Sequence, residues 1–257
     1  MGRTHAASGW CVGLLVAPLL GVHAVAQVVA FAALTAGYAL LPDLDHPHAR
    51  ATRLLGPLTG FLSYLAQEGS RALYARTKGP RDEDWEGTHR HMTHTLVFAV
   101  LAGGLAALLG WLVGPPAVWV FAAFGLLLAL DALGSWLLVP LLIAGAVGLV
   151  TWWAGGGNPW GQVGNLEVLV GLAVFAGCLT HDLGDALTLA GCPILFPLQI
   201  AGETWYELGT PGWMRFKTGG MVEKLLVFPM FTVAGVLLVP GALHGVDRVF
   251  TWIGGVA

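Results

Sequence analysis

The sequence predicts an all-α, polytopic helical membrane protein of about seven transmembrane helices with an interfacial helical insertion. Three observations carry that expectation. Charged residues (12 Lys+Arg and 15 Asp+Glu) make up 11% of 257 residues, against roughly 25% in an average soluble domain, too few to cover a soluble globule of this length. Apolar residues reach 56%, with 37 Gly besides, and mean hydropathy is +0.73. The apolar residues also gather in runs near the roughly 20 helical residues that cross about 30 Å of hydrocarbon, without the period-two alternation of a membrane barrel. Disordered, collagen-like and disulfide-stapled classes are excluded by the same figures. A net charge of −3 and the lack of a basic stripe argue against a nucleic-acid partner. Cys11, Cys178 and Cys192 lie far apart inside apolar runs, as small core residues rather than bridges or a zinc cluster.

Taken in order, the first span covers about 6–21 and the second about 23–41, separated by Gly21. The third covers about 92–113 and ends at Gly114-Pro115-Pro116. The run from Ala117 to Ala154 is too long for one crossing and breaks around Asp131–Gly134 into a fourth and a fifth. A sixth covers about 165–187 and a seventh about 221–240. Arg3, the first apolar run and Ala24-Val25-Ala26 have the form of a secretory signal. Because Gln27 leads straight into another apolar span, the segment is expected to be retained. Residues 50–78 mix apolar and basic positions and read as a helix pair lying on the membrane. Residues 79–90 are polar and turn-like, and 191–220, rich in Gly, Pro and Trp, reads as a loop-built cap. One membrane-embedded domain over 1–257 is expected, with 50–90 as its insertion.

Basic residues choose the orientation. Arg3, the seven in 42–91 (Arg50, Arg53, Arg71, Arg76, Lys78, Arg81, Arg90) and Arg215, Lys217 and Lys224 fall on one side of seven crossings. Arg248 falls on the other, and the 155–164 loop carries no Lys or Arg. The positive-inside rule makes the loaded side cytoplasmic, with the N-terminus inside and the C-terminus outside a cell inner membrane. Most of the eleven Trp sit near span ends, as an interfacial belt does.

The polar chemistry collects on that same side. His5 opens the first span. Asp43, Asp45 and His46 follow the second in Leu-Pro-Asp-Leu-Asp-His, and His89, Arg90, His91 and His94 lead into the third. His181, Asp182 and Asp185 close the sixth. His23 and His244 map to the opposite face. His181 and Asp185, at i and i+4, share a helix face with Cβ atoms about 5–6 Å apart, and ionisable groups so deep in apolar sequence are costly and usually functional. Asp43 and Asp45 follow a helix-ending Pro, where a turn can aim both carboxylates alike. His89 can join His94 only by preceding the helix, whereas helical geometry favours His91 with His94; both pairings stand. Neutral His with ionised Asp suits zinc, manganese or iron better than magnesium or calcium. Seven candidates exceed the three or four ligands of one zinc, so two or more divalent ions are expected, zinc foremost. Paired metals activate water near neutral pH and clamp both oxygens of a phosphoester in reaction. Read singly, each cluster also has a plain alternative: His5 a solvated terminal residue, Asp43 and Asp45 a turn, His89 to His94 a juxtamembrane run, Asp131 a helix end, Glu223 a first-turn acid.

At these residues the chain resembles the YdjM-type family of membrane-bound, metal-dependent hydrolases. The resemblance rests on Thr4-His5 with Gly9, on Leu41 to His46, on His89-Arg90 with Thr93-His94, on His181 with Asp185 to Thr188, Gly191 and Pro197, and on Gly219-Gly220 before Glu223. It implies a metal site using His5, Asp43, Asp45, His89, His94, His181 and Asp185, and a distant likeness to zinc-dependent phospholipase C and the single-strand zinc nucleases. His91, where a small residue is expected, and the long 50–90 insertion depart from the pattern.

The expected function is a multi-metal hydrolase of a lipid or lipid-linked phosphoester at the cytoplasmic face, because the polar centre lies at headgroup depth beside a basic interfacial helix pair. Arg50, Arg53, Arg90 and Lys217 are the phosphate contacts this predicts, Asp45 or Glu223 the general base, Arg90 a further catalytic group, and His46, His91 and Asp182 additional ligands. The competing readings are a transporter of metal ions or small solutes, for which ligands at the midplane and inverted repeats would be expected, and a non-catalytic membrane scaffold.

Overall fold

A computed structural model describes residues 1–154 and 164–242; residues 155–163 of the expected basic-poor loop (155–164), His244 and Arg248 lie outside the described residues. The described residues are helical, with isolated bridges but no strand. Helices α1 (Gly2–Leu19) and α2 (Val25–Tyr38) are followed by a 3₁₀ turn, Pro42–Asp45, and then by α3 (Arg50–Arg53) and α4 (Pro57–Thr77). A second 3₁₀ turn, Met92–His94, leads into α5 (Leu96–Val113), α6 (Pro115–Leu133), α7 (Ser135–Trp153) and α8 (Leu166–Ala186). A π-helical turn, Glu223–Val227, opens into α9 (Phe228–Leu237).

Five segments are long and apolar enough to cross a membrane: Val25–Asp45, Leu96–Val113, Pro115–Leu133, Ser135–Trp153 and Leu166–Ala186. The first and last of the seven expected crossings fall short for local reasons. Helix α1 carries Arg3, Thr4, His5 and Ser8 in its first two turns, and α9 has 10 α-helical residues beyond the π turn. The long apolar run from Ala117 to Ala154 breaks at Gly134, whose φ of +58° ends α6 and starts α7.

Small residues set the packing. Helix α2 is central, touched by α1, α6, α7 and α8. Gly9 and Gly13 of α1 lie on Ala32, Thr35, Ala36 and Ala39 of α2, Gly177 of α8 lies on Thr35 and Tyr38, and Gly103 of α5 and Gly171 of α8 face each other. Lipid tails are as apolar as Leu, so helices associate in a bilayer through close van der Waals approach and polar contacts, which small residues permit. The Tyr38 hydroxyl donates to the Phe121 carbonyl at 2.8 Å, pinning α2 to α6. Large apolar side chains such as Leu101, Trp111, Val120, Leu142 and Trp153 point outward on α5, α6 and α7, an exposure that a soluble protein would not sustain.

The insertion inverts the usual pattern. On α4, Thr59, Ser63, Ser70 and Tyr74 are buried while Leu58, Phe61, Leu62 and Leu65 are exposed, followed by exposed Arg71 and Arg76. Polar residues inward and apolar residues outward, with arginines beyond, is the pattern of a helix lying along a lipid surface. The loop after α4 clasps the 191–220 segment. Asp82 accepts from the backbone N–H of Gly79, Thr204 and Trp205 at 2.6, 3.2 and 2.9 Å, and Cys192 pairs with Leu208 across an isolated bridge.

Candidate metal centre

The centre is built on the end of α8. His181 is fully buried, with Nδ1 2.8 Å from the Ala39 carbonyl of α2. A carbonyl only accepts, so Nδ1 carries the proton and the Nε2 lone pair faces the centre, the orientation a metal-ligating imidazole needs. Asp185, one turn on, is 1% exposed. Its Oδ1 accepts a hydrogen bond from Arg90 Nη2 at 3.2 Å, and its Oδ2 lies 3.2 Å from Arg90 Nε as an ion pair.

The turn after α2 supplies the next pair. Asp43 Oδ1 lies 3.7 Å from His181 Nε2, while Asp45, fully buried, faces the approach to α5. One Asp45 oxygen lies 2.6 Å from His89 Nδ1. The other accepts from the Thr93 hydroxyl at 2.7 Å and the Arg90 backbone N–H at 3.2 Å, with His94 Nδ1 at 3.5 Å. Arg90 has a φ of +59°, a left-handed turn uncommon for a residue with a Cβ. It brings His89 back beside His94, their ring centroids 5.3 Å apart. Of the two pairings left open by the sequence, the structure adopts His89 with His94.

His5 completes the group from α1. Far from being a solvated terminal residue, it is 2% exposed, stacked on His181 at 3.9 Å, with Nε2 3.3 Å from Asp185 Oδ1.

All seven predicted ligands converge, in three overlapping sets that could each hold a metal ion: His5, His181 and Asp185; Asp43, His94 and His181; Asp45, His89 and His94. The spacing fits a cation. His94 Nε2 and His181 Nε2 face each other at 3.2 Å, and Asp185 Oδ2 lies 3.6 and 3.7 Å from them. Ligands on a tetrahedral ion at about 2.0–2.1 Å stand roughly 3.4 Å apart. Asp185 Oδ2 is buried and, although ion-paired with Arg90 Nε, accepts no hydrogen bond, so its lone pairs are free for a shared cation.

Protons compete for the same donors. Burial alone lowers the His94 imidazole, but the Asp45 carboxylate, with Asp185 and Asp182 behind it, outweighs burial and raises it from 6.5 to about 9. Because the folded value lies above the ordinary one, this charge stabilises the metal-free fold fully below about 6.5, and the contribution is lost as pH rises through about 9. A divalent ion must displace that proton. Metal affinity is therefore expected to rise by up to tenfold per pH unit towards pH 9, with proton release measured by calorimetry in buffers of differing ionisation enthalpy.

Several predicted participants are placed elsewhere. Arg90 is not open to a substrate: besides Asp185 it donates to Thr188 Oγ1 at 3.1 Å, which makes it a strut for that carboxylate. Arg90→Gln is expected to weaken metal binding about 10–100-fold, the usual effect of losing such an outer contact, as read by competition with a chelating dye. His91 turns away from the centre, its Nδ1 donating to the His89 carbonyl and its ring against Tyr74 and Trp205. His46 stands at the rim, edge-on to His48 and His89. Asp182 is buried, and neither of its oxygens has a hydrogen-bond partner among the described residues. It belongs to none of the three sets.

Beside the centre lies a cleft of about 580 Å³, with Asp43 on its wall. Arg3, Arg50 and Lys224 line it. Of the predicted phosphate contacts, Arg50 is present, held by the Asp131 carbonyl at 2.9 Å. Arg53 is beside His48 at 3.3 Å, and Lys217 does not line the cleft. Arg3 and Lys224 entered the sequence reading only as topology markers, and nothing in their local sequence ties them to Asp43. Glu223 is on the cleft wall, where it accepts from the Thr4 hydroxyl at 2.7 Å and the Gly219 N–H at 2.6 Å, fixing the start of α1 next to His5.

Compared with models of known families, the chain matches the one described as YdjM inner membrane protein over residues 1–246. Compared with curated proteins and with solved structures, it matches none.

Proposed function

We propose that this chain, which belongs to the YdjM inner membrane protein family, is a metal-dependent hydrolase that cleaves a phosphoester of a lipid or lipid-linked substrate at the cytoplasmic face. The observation that carries the reading is the adjacency of a buried His/Asp centre and a basic cleft, with Asp43 belonging to both.

In this reading α1 and the helix from the π turn through α9 complete seven crossings, and the positive-inside rule sets the centre and the N-terminus in the cytoplasm. The 50–90 insertion rests on the lipid surface and the 191–220 cap covers the centre. His5, Asp43, Asp45, His89, His94, His181 and Asp185 hold two or more divalent ions, preferably zinc, because imidazole with carboxylate suits that ion. Such ions supply Lewis-acid activation of water and of the phosphoryl group. Arg3, Arg50 and Lys224 receive the anionic headgroup, Arg50 pre-positioned by Asp131. Both Asp45 oxygens are engaged by neighbours, so Asp45 acts as a ligand rather than a proton acceptor. Glu223, on the same cleft wall, positions α1, and Asp43, which also belongs to one of the ion-holding sets, is the carboxylate that joins the cleft to the centre.

The test is elemental analysis of the purified full-length protein together with phosphate release from long-chain alkyl phosphates and phosphatidic acid. Bound zinc, manganese or iron with release that stops on chelation is expected. A metal-loaded protein that releases no phosphate from any of them overturns the hydrolase reading.

A further inference from the structure

A second, apolar cavity is lined by α1, α7 and α9. It has a volume of about 400 Å³, with Trp10, Trp136, Val139, Ile143, Gly235 and Val236 among its lining residues. Its floor is two indoles set edge-on at 5.9 Å, and the Trp10 N–H donates to the Gly235 carbonyl at 2.9 Å. The groove exists because position 235 is glycine: a Cβ there would stand 2.8 Å from Trp10 and 2.9 Å from Trp136. Val139, Ile143 and Val236 are exposed on its walls.

Two structural links set this groove beside the basic cleft. The cleft is lined by Arg3 and Thr4 of α1 and Phe228 of α9, the groove by Trp10 and Gly235 of the same helices. The rise from Thr4 to Trp10 and from Phe228 to Gly235 is about 10 Å on either helix. Arg3 lies over the Phe228 ring at 5.6 Å, so a cation marks the cleft end of this seam. Arg50, on the cleft, grips Asp131 near the end of α6, and α7 begins just beyond with Ser135 and Trp136 lining the groove. A cationic cleft at the membrane surface, with an apolar groove about two turns deeper along the same helices, matches a molecule with an anionic head and a hydrocarbon tail.

We propose that the groove between α1, α7 and α9 seats the hydrocarbon chain of the phosphoester whose headgroup enters the cleft. This rests on the phosphoester reading of the site and adds a chain-binding site to it. A water-soluble ester would use the cleft alone; a chain in the groove orients the head towards Asp43 and selects substrates by chain length.

The experiment uses full-length protein in phosphatidylcholine nanodiscs and two photoreactive probes, each with a diazirine near the chain end: hexadecylphosphonate, a phosphate probe with no ester bond to cleave, and hexadecanol. The phosphate probe is expected to label α7 and α9 residues of the groove at least about fivefold more than the alcohol. That excess should vanish in Arg3→Gln/Lys224→Gln and in the groove-filling Val236→Trp and Ile143→Trp, two variants that guard against one failing to fold. Equal labelling by the two probes means bulk lipid only and overturns the proposal, as does phosphate-probe label confined to the outer face of α4. The hydrolase reading fails separately: groove labelling without phosphate release removes the reaction and keeps the chain site, while release that is indifferent to chain length, with no groove label, does the reverse.

Discussion

His181→Ala is expected to strip the protein of bound transition metal and to abolish phosphoester turnover. His181 contributes to two of the three candidate sets, and its Nε2 lies within 3.7 Å of donors from the 42–45 turn, the approach to α5 and α8 itself. Losing an outer-shell partner commonly weakens a site 10–100-fold, so deletion of a shared inner ligand should exceed about 100-fold in metal affinity. Turnover should fall by about 10³-fold or more, beyond the loss from one missing electrostatic contact. The control is His91→Phe. His91 has the same side chain and lies between two of the ligands, His89 and His94, but its ring packs on Tyr74 and Trp205, so metal content should persist. Equal metal loss in both variants, each eluting as a monodisperse folded protein, would count against the assignment.

Gly37→Ala is expected to cost stability and to disturb the centre together. A Cβ at Gly37 would meet the Gly125 carbonyl oxygen at 1.8 Å and its carbon at 2.6 Å. These are backbone atoms of α6 that no rotamer change can move, so α2 and α6 must separate. Overpacking costs typically 1–3 kcal/mol, occasionally more; with backbone on both sides we expect about 3 kcal/mol, or roughly 10 °C in apparent Tm for a chain of this size. Helix α2 also supplies the Ala39 carbonyl that orients His181 and leads into Asp43 and Asp45, so metal affinity should fall as well. Gly104→Ala on α5, where an added Cβ meets nothing within 4 Å, should leave both unchanged in a thermal-shift and metal-binding comparison.

How far the fold and the site could be read from the chain depended on the range of the interactions. Apolar runs and the Gly134 break were local signals, and they located the five helices long and apolar enough to cross a membrane, though not the two further crossings expected. The convergence of His5, Asp43, His94 and His181 was foreshadowed by their common place at helix ends, since an ion site needs side chains from several helices at one depth. The choice of His89 over His91 did not, because it hangs on a left-handed Arg90 that only the completed Asp45 and Asp185 contacts make favourable. Arg90 and Lys217 had the right charge for a phosphate, but charge alone does not say whether a carboxylate has already claimed the guanidinium. Arg3 and Lys224 come from opposite ends of the chain and meet only where α1 runs beside the last helix. The inside-out face of α4 was visible as mixed apolar and basic residues, yet which face turns inward required knowing where Thr59, Ser63 and Ser70 pack.

On the proposed reading, imidazoles and carboxylates from four separate stretches of this chain hold common cations. X-ray absorption at the zinc edge on full-length, zinc-loaded protein tests it most directly. Nitrogen and oxygen neighbours at about 2.0–2.1 Å with imidazole scattering, and no sulfur at about 2.3 Å, are expected, with that signal lost in His181→Ala. A sulfur shell from the buried Cys178 or Cys192, or zinc bound without imidazole and unaffected by the substitution, would contradict it.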